Sequence, residues 1–357
     1  MSHFFERPSR WECSLADENR ALPAGKLPPE LLGRLIGNYT ITDPDVLIGP
    51  GVGRDAAAIR IGDKAIVVKT DPITFATPDA GRYLVNVNAN DIVCMGATPR
   101  WLLVTALLPE RSTTAELAES IFTSLQTAAT ELDIALVGGH TEITIGLDRV
   151  ILVGQMIGDA DPERLLDIRS AQPGDAVILC SGIAIEGTSI LAMEADRHLT
   201  DVSGDLLESA RTFLTAPGIS VVPAARALLS SGATIRGMHD PTEGGLASAI
   251  AEVATASSLG IEIDEAAIPI YPETRAICEA LDLDPLGLIA SGALLAVVDN
   301  NDVEIALAAA STAGIPAARI GTMTEAGDGC WLVRDGARMP MPTFAVDEIA
   351  RYFSSLE

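Results

Sequence analysis

The feature that most constrains the fold is a polar segment near the middle of the chain, residues 159–175. Its sequence, DADPERLLDIRSAQPGD, concentrates Asp, Pro, Arg and Gly between two long stretches that are rich in Val, Ile, Leu and Ala. Such a composition is typical of a domain boundary, and a chain of 357 residues is long enough for two domains with separate cores. We therefore predict an irregular arm over residues 1–24, a first domain over residues 25–160 and a second domain over residues 161–357.

Strand and helix patterns occur on both sides of this segment. Before it, apolar runs predict strands over residues 65–71 and 149–158, and a polar-flanked apolar periodicity predicts a helix over residues 113–132. After it, the run AVILCSG predicts a strand, and an Ala-rich stretch predicts a long helix over residues 243–258. Strands and helices mixed in this way predict an α+β fold built from layered sheets.

The charge balance limits the partners that the chain can take. Asp and Glu number 49 against 24 Lys and Arg, which gives a formal net charge of −25 at pH 7. Phosphate backbones are bound by fields of Lys and Arg, so this balance argues against a nucleic-acid partner and against docking on anionic lipid. A bound nucleotide would need a divalent cation to offset the repulsion. Because 48% of the residues are hydrophobic, a compact globular protein is expected.

The cysteines indicate a reducing compartment. They are widely spaced and contain no C-x-x-C pair, so neither a disulfide framework nor a zinc knuckle is predicted. No apolar run approaches about 18 residues without a charge or a turn residue, and the N-terminal sequence has no apolar signal core. We therefore expect a cytoplasmic protein without a membrane span. The cysteines are Cys13, Cys94, Cys180, Cys278 and Cys330.

The segment NVNANDIVCMGATPR, residues 86–100, combines a helical pattern with amides and a carboxylate. On a wheel of about 100° per residue, Asn88 and Asp91 lie about 60° apart and share a face, whereas Asn86 and Asn90 share another. A carboxylate and an amide one turn apart can hold a hydrated cation. Asn and Asp also bond to nearby backbone groups, and this second explanation is favoured by the segment alone.

Five acidic residues stand where predicted strands or helices end, beside small residues. A carboxylate just past a buried strand is costly unless it is paired or bound to a metal. Each one alone is typical of a cap or a turn, but the five together favour a metal–phosphate site, because Mg²⁺ prefers oxygen ligands and bridges to substrate phosphates. Lys26 and Lys69 are the lysines best placed to meet phosphate charge, and of the two Lys69 stands beside Asp71 in the sequence. The five are Asp55, Asp71, Asp91, Glu142 and Asp240.

The stretch GPGVGRD, residues 49–55, contains three glycines but no G-x-G-x-x-G pattern, and the chain contains no P-loop motif. The backbone amides of such a loop can close on phosphate oxygens, with Asp55 beside them to take a metal. A surface turn also explains the glycines and is favoured when the stretch is taken alone. His140 and His239 lie inside other motifs and are interpreted as polar positioning groups.

Taken together, five motifs resemble those of the ATP-binding superfamily of aminoimidazole ribonucleotide (AIR) synthase, in the order seen there and over residues 25–350. That superfamily also contains thiamine-monophosphate kinase, selenide-water dikinase and the hydrogenase maturation protein that dehydrates a carbamoyl thioester to a thiocyanate. The second half is most similar to the hydrogenase maturation branch and its AIR synthase-related cousins. The motifs are GVGRDAAAI, KTDPI, NANDIVCMGATP, GGHTE and MHDPTEGGLASAIAEVA.

The resemblance implies a two-domain, PurM-like α/β fold and a homodimer in which the N-terminal domains pair their sheets into a shared barrel. It also implies ATP bound with Mg²⁺ near that interface. The implied reaction phosphorylates a substrate, or activates an amide or carbonyl oxygen as a phosphate ester. The acceptor would be a small molecule or a group on a carrier protein.

Matching to these motifs, together with the residues singled out above, gives the expected site. The expected metal ligands are Asp55, Asp71, Asp91, Glu142 and Asp240. The expected cofactor contacts are Gly51, Gly53, Lys69, Asn88, Gly138 and Gly139. The expected catalytic residues are Asp91, Asp240 and His140.

Two departures separate the sequence from the hydrogenase maturation branch. That branch ends in a Cys that carries the carbamoyl group, whereas this sequence ends YFSSLE, and it commonly has Glu-Gly where this sequence has Ser291-Gly292. We therefore expect that the chain does not dehydrate a carbamoyl group carried on its own C-terminus. Three alternatives stay open: hydrogenase maturation by carbamoyl dehydration without the C-terminal Cys, a non-catalytic nucleotide-binding partner in metalloenzyme assembly, and a thiamine-monophosphate kinase.

Overall fold

The computed structural model describes residue 22, residues 27–74 and residues 79–356. Its strands are β1 (Val46–Ile48), β2 (Ala57–Ile61), β3 (Lys64–Ile73), β4 (Thr98–Pro109), β5 (Ala135–Thr144), β6 (Ile151–Ala160), β7 (Ala176–Cys180), β8 (Ile235–His239), β9 (Gly260–Asp264), β10 (Leu294–Val298), β11 (Ala317–Thr324), β12 (Cys330–Arg334) and β13 (Ala337–Pro340). Its α-helices are α1 (Pro29–Ile36), α2 (Ala80–Cys94), α3 (Ala115–Glu131), α4 (Ile185–Glu194), α5 (Gly204–Arg211), α6 (Val222–Ser230), α7 (Gly245–Ser257), α8 (Pro272–Leu281), α9 (Val303–Thr312) and α10 (Glu348–Ser354). The arm expected over residues 1–24 lies outside the described residues, apart from residue 22.

The first sheet contains β1 to β6 in the order β1-β2-β3-β6-β4-β5. Neighbouring strands are antiparallel except β4 and β5, which run parallel. Helix α2 contacts β3, β6 and β4, and α3 packs beside α2 and contacts β5. The last strand in this order, β5, forms an edge of the sheet and is exposed along most of its length.

The second sheet contains β7 to β13 in the order β13-β12-β9-β11-β7-β10-β8. The side chains of β7 alternate between two cores: Ala176, Ile178 and Cys180 join the core shared with α6 and α9, and Val177 and Leu179 join the core on the side of α7. The whole strand is buried, as expected where both faces of a sheet are covered. Two mostly antiparallel sheets covered by helices confirm the α+β fold that the sequence predicts.

The two sheets divide where the composition of the chain changes. The first sheet ends at Ala160 and the second begins at Ala176, and two short 3₁₀ turns, Pro162–Arg164 and Ile168–Ser170, lie between them. We call the parts before and after this connection the first half and the second half. One hydrophobic core nevertheless contains residues of both halves.

Helix α2 is buried on nearly all sides and lies between the two halves. Its close approach to the first sheet depends on two glycines of β6. A Cβ atom at Gly154 would lie 2.6 Å from Asn88 Nδ2, and a Cβ atom at Gly158 would lie 2.4 Å from Ile92 Cγ2. Helix α2 also contacts α6 and β8, and we call this contact the seam. The elements of both halves that meet at the seam position the candidate site.

Asn90 ties α2 to the second half through its side-chain amide. Its Nδ2 donates to the carbonyl of Ile219 at 3.0 Å, and its Oδ1 accepts from the N–H of Val221 at 2.9 Å. Both bonds are made away from water, where an unpaired amide costs roughly 1–3 kcal/mol. Asn86 instead donates to the Arg82 carbonyl of its own helix. Both amides are therefore structural. The local bonding expected from the sequence holds for Asn86, whereas the backbone partners of Asn90 belong to the second half.

In the part of the chain that the structure describes, no single helix is long and apolar enough to cross a membrane. One bent pair, Gly204–Arg211 with Leu214–Ser230, meets the length and composition test jointly, with a bend of 58°. Within this pair, Val222, Ala225 and Leu228 of α6 are buried in the protein core.

Candidate functional site

Lys69 and Asp71 lie on one face of β3, because alternate residues of a strand point to the same side. Lys69 Nζ lies 3.5 Å from Asp71 Oδ2 and 3.3 Å from Asp91 Oδ2 on α2. Burial lowers the pKa of Lys69, but the attraction of nearby carboxylates, that of Asp91 first, outweighs burial and leaves the pKa raised. The lysine is therefore held charged between carboxylates that come from two different elements.

Asn88 fixes the position of Asp71. Its Oδ1 accepts from the backbone N–H of Asp71 at 3.1 Å, and its Nδ2 donates to the Leu84 carbonyl at 2.9 Å. Asn88 and Asp91 both face β3, as the helical wheel predicts. Because the amide of Asn88 is engaged with backbone groups, only Asp91 presents its side chain to Lys69. The cofactor contact expected for Asn88 stays a prediction.

His239, the last residue of β8, lies between two carboxylates. Its Nδ1 is 2.8 Å from Asp55 Oδ1, and its Nε2 is 2.9 Å from Glu252 Oε2 on α7. Burial lowers the pKa of His239, but the charge of Asp55 and the hydrogen bonds to both carboxylates outweigh burial and raise the pKa well above its usual value. The imidazolium form donates from both ring nitrogens and fixes the orientation of Asp55.

Asp240 follows His239 and is only 3% exposed. The thiol of Cys94 donates to Asp240 Oδ1, with Sγ at 3.9 Å. The second oxygen, Oδ2, is buried without a hydrogen-bond partner among the described residues. Asp91 Oδ2 also accepts no hydrogen bond from them, but the ammonium group of Lys69 lies 3.3 Å away. Buried carboxylate oxygens normally have hydrogen-bond partners or metal ions. The Oδ2 atom of Asp240 therefore marks a position where a cation would stabilise the site.

The electrostatics of the cluster favour the uptake of cations. Burial raises the pKa of Asp91 well above its usual range even though Lys69 opposes the shift, and Asp240 adds to it. Burial, with the charge of Asp55 next, raises the pKa of Asp240 to about 7. A divalent cation between these groups would stabilise their ionised forms. The oxygen donors that converge here, Asp55, Asp71, Asp91 and Asp240, are of the type that Mg²⁺ prefers.

The glycine-rich loop before β2 brings Asp55 to the second half. Gly53 has a φ of 73°, and a Cβ atom there would lie 2.8 Å from the Glu252 carbonyl oxygen, so the loop packs directly on α7. Within the loop, Arg54 Nη1 donates to the Gly49 carbonyl at 2.9 Å. The loop is therefore a packed connection and not a free surface turn. The cofactor contacts expected for its glycines stay predictions.

The structure places the GGHTE motif outside this cluster. Gly138, Gly139, His140 and Glu142 lie on β5, and strands β4 and β6 separate Gly139 from Asp71, a distance of roughly 14 Å at three strand spacings. The side chains of His140 and Glu142 are 67% and 56% exposed, with Nε2 and Oε2 3.5 Å apart. Within one chain, therefore, Glu142 lies away from the aspartates, and the metal-binding roles expected for the five carboxylates stay predictions.

Two contributors to the site were not predicted from the sequence. Glu252 is the only charged residue of α7, and a single carboxylate in an apolar helix is a signal of a buried polar partner. Cys94 is buried and faces the cluster, because it follows Asp91 by three residues on α2 and residues at that spacing are neighbours on a helix.

Both halves of the chain match known proteins. Residues 53–160 match the profile of the AIR synthase related protein, N-terminal domain, and residues 172–330 match that of its C-terminal domain. A putative hydrogenase expression/formation protein of Methanocaldococcus jannaschii is 34% identical over 287 residues, which cover 78% of this chain and 82% of that protein. The chain belongs to the AIR synthase related family.

Other members of the AIR synthase related family are similar over comparable lengths. The carbamoyl dehydratase HypE of Cupriavidus necator is 33% identical over 286 residues, covering 77% of this chain and 78% of that protein. A crystal structure of the hydrogenase maturation protein HypE in complex with ATP is 26% identical, with a TM-score of 0.67, over 88% of this chain and 95% of that chain. The PurM-like, two-domain fold that the motifs imply is therefore confirmed.

Proposed function

We propose that this chain is a Mg²⁺-dependent, ATP-using enzyme that phosphorylates the oxygen of an amide or carbonyl group. The observation that carries the proposal is the position of Lys69 at the seam, 3.5 Å from Asp71 and 3.3 Å from Asp91. The charges of Asp55 and Asp240 also act on this lysine, and Asp240 Oδ2 is buried without a hydrogen-bond partner among the described residues. Such a set is suited to divalent cations and phosphate oxygens. The similarity to HypE, which has been crystallised with ATP, supports ATP as the nucleotide.

The geometry supports a separate role for each group. Asp55, Asp71, Asp91 and Asp240 would hold Mg²⁺, whose charge would offset the repulsion between an acidic site and a nucleotide. Lys69 Nζ lies beside Asp71 and Asp91 and neutralises charge on phosphate oxygens. Mg²⁺–ATP, when bound, supplies the phosphoryl group. The chain itself contributes positioning and charge neutralisation.

A more specific candidate within this reaction class is the dehydration of a carbamoyl group. The 33% identity with a carbamoyl dehydratase HypE favours it. Phosphorylation of a carbamoyl oxygen converts that oxygen into a leaving group, so dehydration follows from the proposed activation step. Carbamoyl dehydration therefore needs the same carboxylate cluster, and it differs from the general proposal only in naming the carbamoyl group as the phosphate acceptor.

We further propose that the acceptor group arrives on a separate small molecule or partner protein. Among the described cysteines, Cys94, Cys180 and Cys278 are buried, and Cys330 is half-buried in β12. Burial raises the pKa of each of these thiols, which opposes the thiolate that a carrier needs. Cys13 lies outside the described residues. All four described cysteines are free thiols, which supports the cytoplasm as the proposed location.

Titration calorimetry with ATP tests the nucleotide proposal. The parent chain is expected to bind ATP with Mg²⁺ and not with EDTA, and Asp91→Ala is expected to lose binding. A suitable control is Asp264→Ala, because Asp264 also ends a strand but lies outside the cluster. Equal ATP affinity in the parent and in Asp91→Ala would contradict the proposal, as would ATP binding that is unchanged by EDTA.

Mass spectrometry tests the source of the acceptor. After incubation with a carbamoyl-transferring partner protein, carbamoyl phosphate and ATP, the cysteines of this chain are expected to stay unmodified. A carbamoylated cysteine that then loses the mass of one water would identify a carrier inside the chain and overturn this part of the proposal.

We also propose a homodimer that forms through β5. Val137 and Ile143 on this edge strand and Ile145 just after it are 53%, 60% and 83% exposed, and an unpaired apolar edge is a template for another strand. The roles expected for the GGHTE residues depend on this dimer, because in one chain these residues lie away from the cluster. Light scattering at micromolar concentration is expected to give twice the chain mass, and a monomer mass would contradict the proposal.

A further inference from the structure

Glu186 carries a buried carboxyl group that the proposed reaction has not yet used. It lies in the first turn of α4 and is 2% exposed, and its Oε2 has no hydrogen-bond partner among the described residues. Burial raises its pKa to about 7, while the Ser291 hydroxyl group lowers the pKa and the charge of Asp347 raises it, both by less. Ser291 and Asp347 therefore lie near this carboxyl group. A buried polar atom without a partner costs stability, and such atoms are found at functional sites.

The loop between β7 and α4, which leads into Glu186, has an unusual backbone. Ser181 and Ala184 have φ angles of 67° and 58°, in the left-handed region that is unfavourable for residues with a Cβ atom. Strained residues of this kind concentrate at active sites and ligand clamps. The backbone and the unpaired Oε2 are separate observations, and both favour a functional role for this segment.

Glu186 also meets the first half of the chain at the seam. Burial, with the charge of Glu186 next, raises the pKa of Tyr83 on α2, so Tyr83 lies near this carboxyl group. Tyr83 and Asn90 are seven residues apart and therefore share the face of α2 that meets the second half. From Tyr83 to Asp91 the helix rises roughly 12 Å. We call Tyr83, Glu186 and Ser291 the Glu186 cluster; it lies about two helical turns along α2 from the carboxylates around Lys69.

The Glu186 cluster contains one of the two sequence departures described above. Ser291 stands where the hydrogenase maturation branch commonly has a Glu. Gly292, the next residue, has a φ of 104°, and a Cβ atom there would lie 2.7 Å from the Gly218 carbonyl oxygen, so the loop is packed tightly in place. A carboxyl group is therefore still present near position 291, but α4 supplies it.

We propose that Glu186 binds the NH₂ end of the acceptor's amide or carbamoyl group and selects acceptors of this class. The proposal rests on the proposed function, because that function defines the acceptor. An ionised carboxylate only accepts hydrogen bonds, so its unpaired Oε2 matches an N–H donor. A phosphate-bearing acceptor would instead be repelled by the charges of Glu186 and Asp347. With the acceptor oxygen turned towards a phosphoryl group held at the aspartates, its nitrogen faces Glu186.

Ligand-observed NMR with two small neutral probes tests the role of Glu186. Ethyl carbamate carries an NH₂ group where ethyl acetate carries a methyl group, and small probes are needed because Tyr83, Glu186 and Ser291 are only 1%, 2% and 1% exposed. At pH 8, without nucleotide, the full chain is expected to bind ethyl carbamate at least about tenfold more tightly than ethyl acetate, because the methyl group makes no hydrogen bond to the carboxylate. At pH 6, where most of the Glu186 carboxyl group is protonated, the affinity for ethyl carbamate is expected to be lower by up to about tenfold.

Two variants separate recognition by Glu186 from a structural role. Glu186→Leu removes both carboxyl oxygens and is expected to lose the preference for ethyl carbamate together with its pH dependence. The double variant Glu186→Ser with Ser291→Glu moves the carboxyl group across the cluster and is expected to regain the preference, which a structural role would not restore. Glu194→Gln, at the exposed end of α4, is the matched control and is expected to behave like the parent.

The possible outcomes decide the proposal. Circular dichroism checks that each variant is folded, and Glu186→Gln, read by its loss of pH dependence, replaces Glu186→Leu where the leucine variant is not folded. A parent that does not bind ethyl carbamate, equal affinity for the two probes, or a preference that persists in Glu186→Leu would overturn the proposal. A folded double variant without the preference would also count against it. ATP calorimetry on the same samples reports separately on the proposed function, because the probe titrations contain no nucleotide.

Discussion

The two halves of the molecule neutralise their carboxylates at the seam in different ways. In the first half, Lys69 Nζ lies 3.3 and 3.5 Å from its two partners, and the side chain of Asp71 is 33% exposed. In the second half, His239 makes hydrogen-bond contacts of 2.8 and 2.9 Å from both ring nitrogens, and its side chain is 12% exposed. A lysine can rotate towards a new anion, whereas a doubly bonded imidazole cannot. The first half is therefore adjustable, and the second half is preformed.

The largest loss of stability is expected when the imidazolium group of His239 is removed. His239→Leu leaves Asp55 and Glu252 close together without a positive charge between them, and breaking a buried ion pair costs roughly 3–5 kcal/mol. The free energy of unfolding, measured by urea denaturation without metal, is expected to fall by that amount. Lys69→Met is the matched variant and is expected to cost less, about 1–2 kcal/mol. Asp71 keeps contact with water, and the buried Asp91 can take up a proton, because burial raises its pKa well above its usual range.

These two variants test whether the cation of the second half is held more firmly than that of the first half. Equal losses of stability, or a larger loss in Lys69→Met, would show that the lysine is held as firmly as the histidine. A loss in His239→Leu that Glu252→Gln largely reverses would sharpen the comparison. The double variant removes the carboxylate charge that the missing imidazolium leaves unpaired, so such a reversal would assign the cost to that charge.

A buried carboxyl group is expected to change the free energy of unfolding by an intermediate amount. Glu186 on α4 is 2% exposed, its Oε2 has no hydrogen-bond partner in the described parts of the chain, and burial raises its pKa to about 7. Since the folded chain keeps this proton to a higher pH than the unfolded chain, the contribution of Glu186 to stability is most favourable below pH 4.5 and falls as the pH rises towards 7. At pH 8, Glu186→Gln is expected to be more stable than the parent by about 2–3 kcal/mol.

The pH dependence distinguishes this effect from a change in packing. Near pH 5 most of the penalty is absent, so Glu186→Gln and the parent are expected to differ little in their free energies of unfolding. Urea denaturation at both pH values measures the difference. An equal gain at pH 5 and pH 8 would indicate better packing of the amide and would contradict the assignment to the buried charge.

The smallest effect is expected for an ion pair at the surface. Arg82 donates to both oxygens of Glu131, at 2.6 and 2.9 Å, but the side chain of Glu131 is 51% exposed. Glu131→Gln is expected to lower the free energy of unfolding by less than about 1 kcal/mol, and by still less at high salt. A loss as large as that of His239→Leu would show that geometry, and not burial, decides the cost of separating charges in this protein.

Much of the fold could be predicted from the sequence, because its signals are local. The helix predicted over residues 113–132 is α3, and the long strand predicted over residues 149–158 lies within two residues of β6 at each end. The short strands β1 and β13 could not be predicted in the same way. Their sequences, VLI and ARMP, are too short to show an alternating pattern, and they become strands only by pairing with their neighbours.

Only part of the candidate site could be predicted, because local motifs identify residues but do not show which of them meet in the fold. The motifs named the four aspartates and Lys69, but whether Glu142 joins them depends on the order of strands in the sheet. Strand β6 lies between β3 and β4, although it follows both in the chain, and this insertion moves β5 away from Asp71. Glu252 meets His239 only through tertiary packing of α7 on the glycine-rich loop, which no local pattern records.

Because the site is built across the seam, its affinity for a ligand is linked to the strength of the contact between the two halves. Asp71 and Asp91 belong to the first half and Asp240 to the second, and Asn90 fastens the two halves beside them. A cation or nucleotide that contacts aspartates of both halves can bind fully only while the two halves are in contact. By thermodynamic linkage, each gain in affinity is then an equal gain in the free energy that resists their separation. Replacing either half by an unrelated domain would therefore remove part of the ligand-binding site and leave the residues of the other half without their partners.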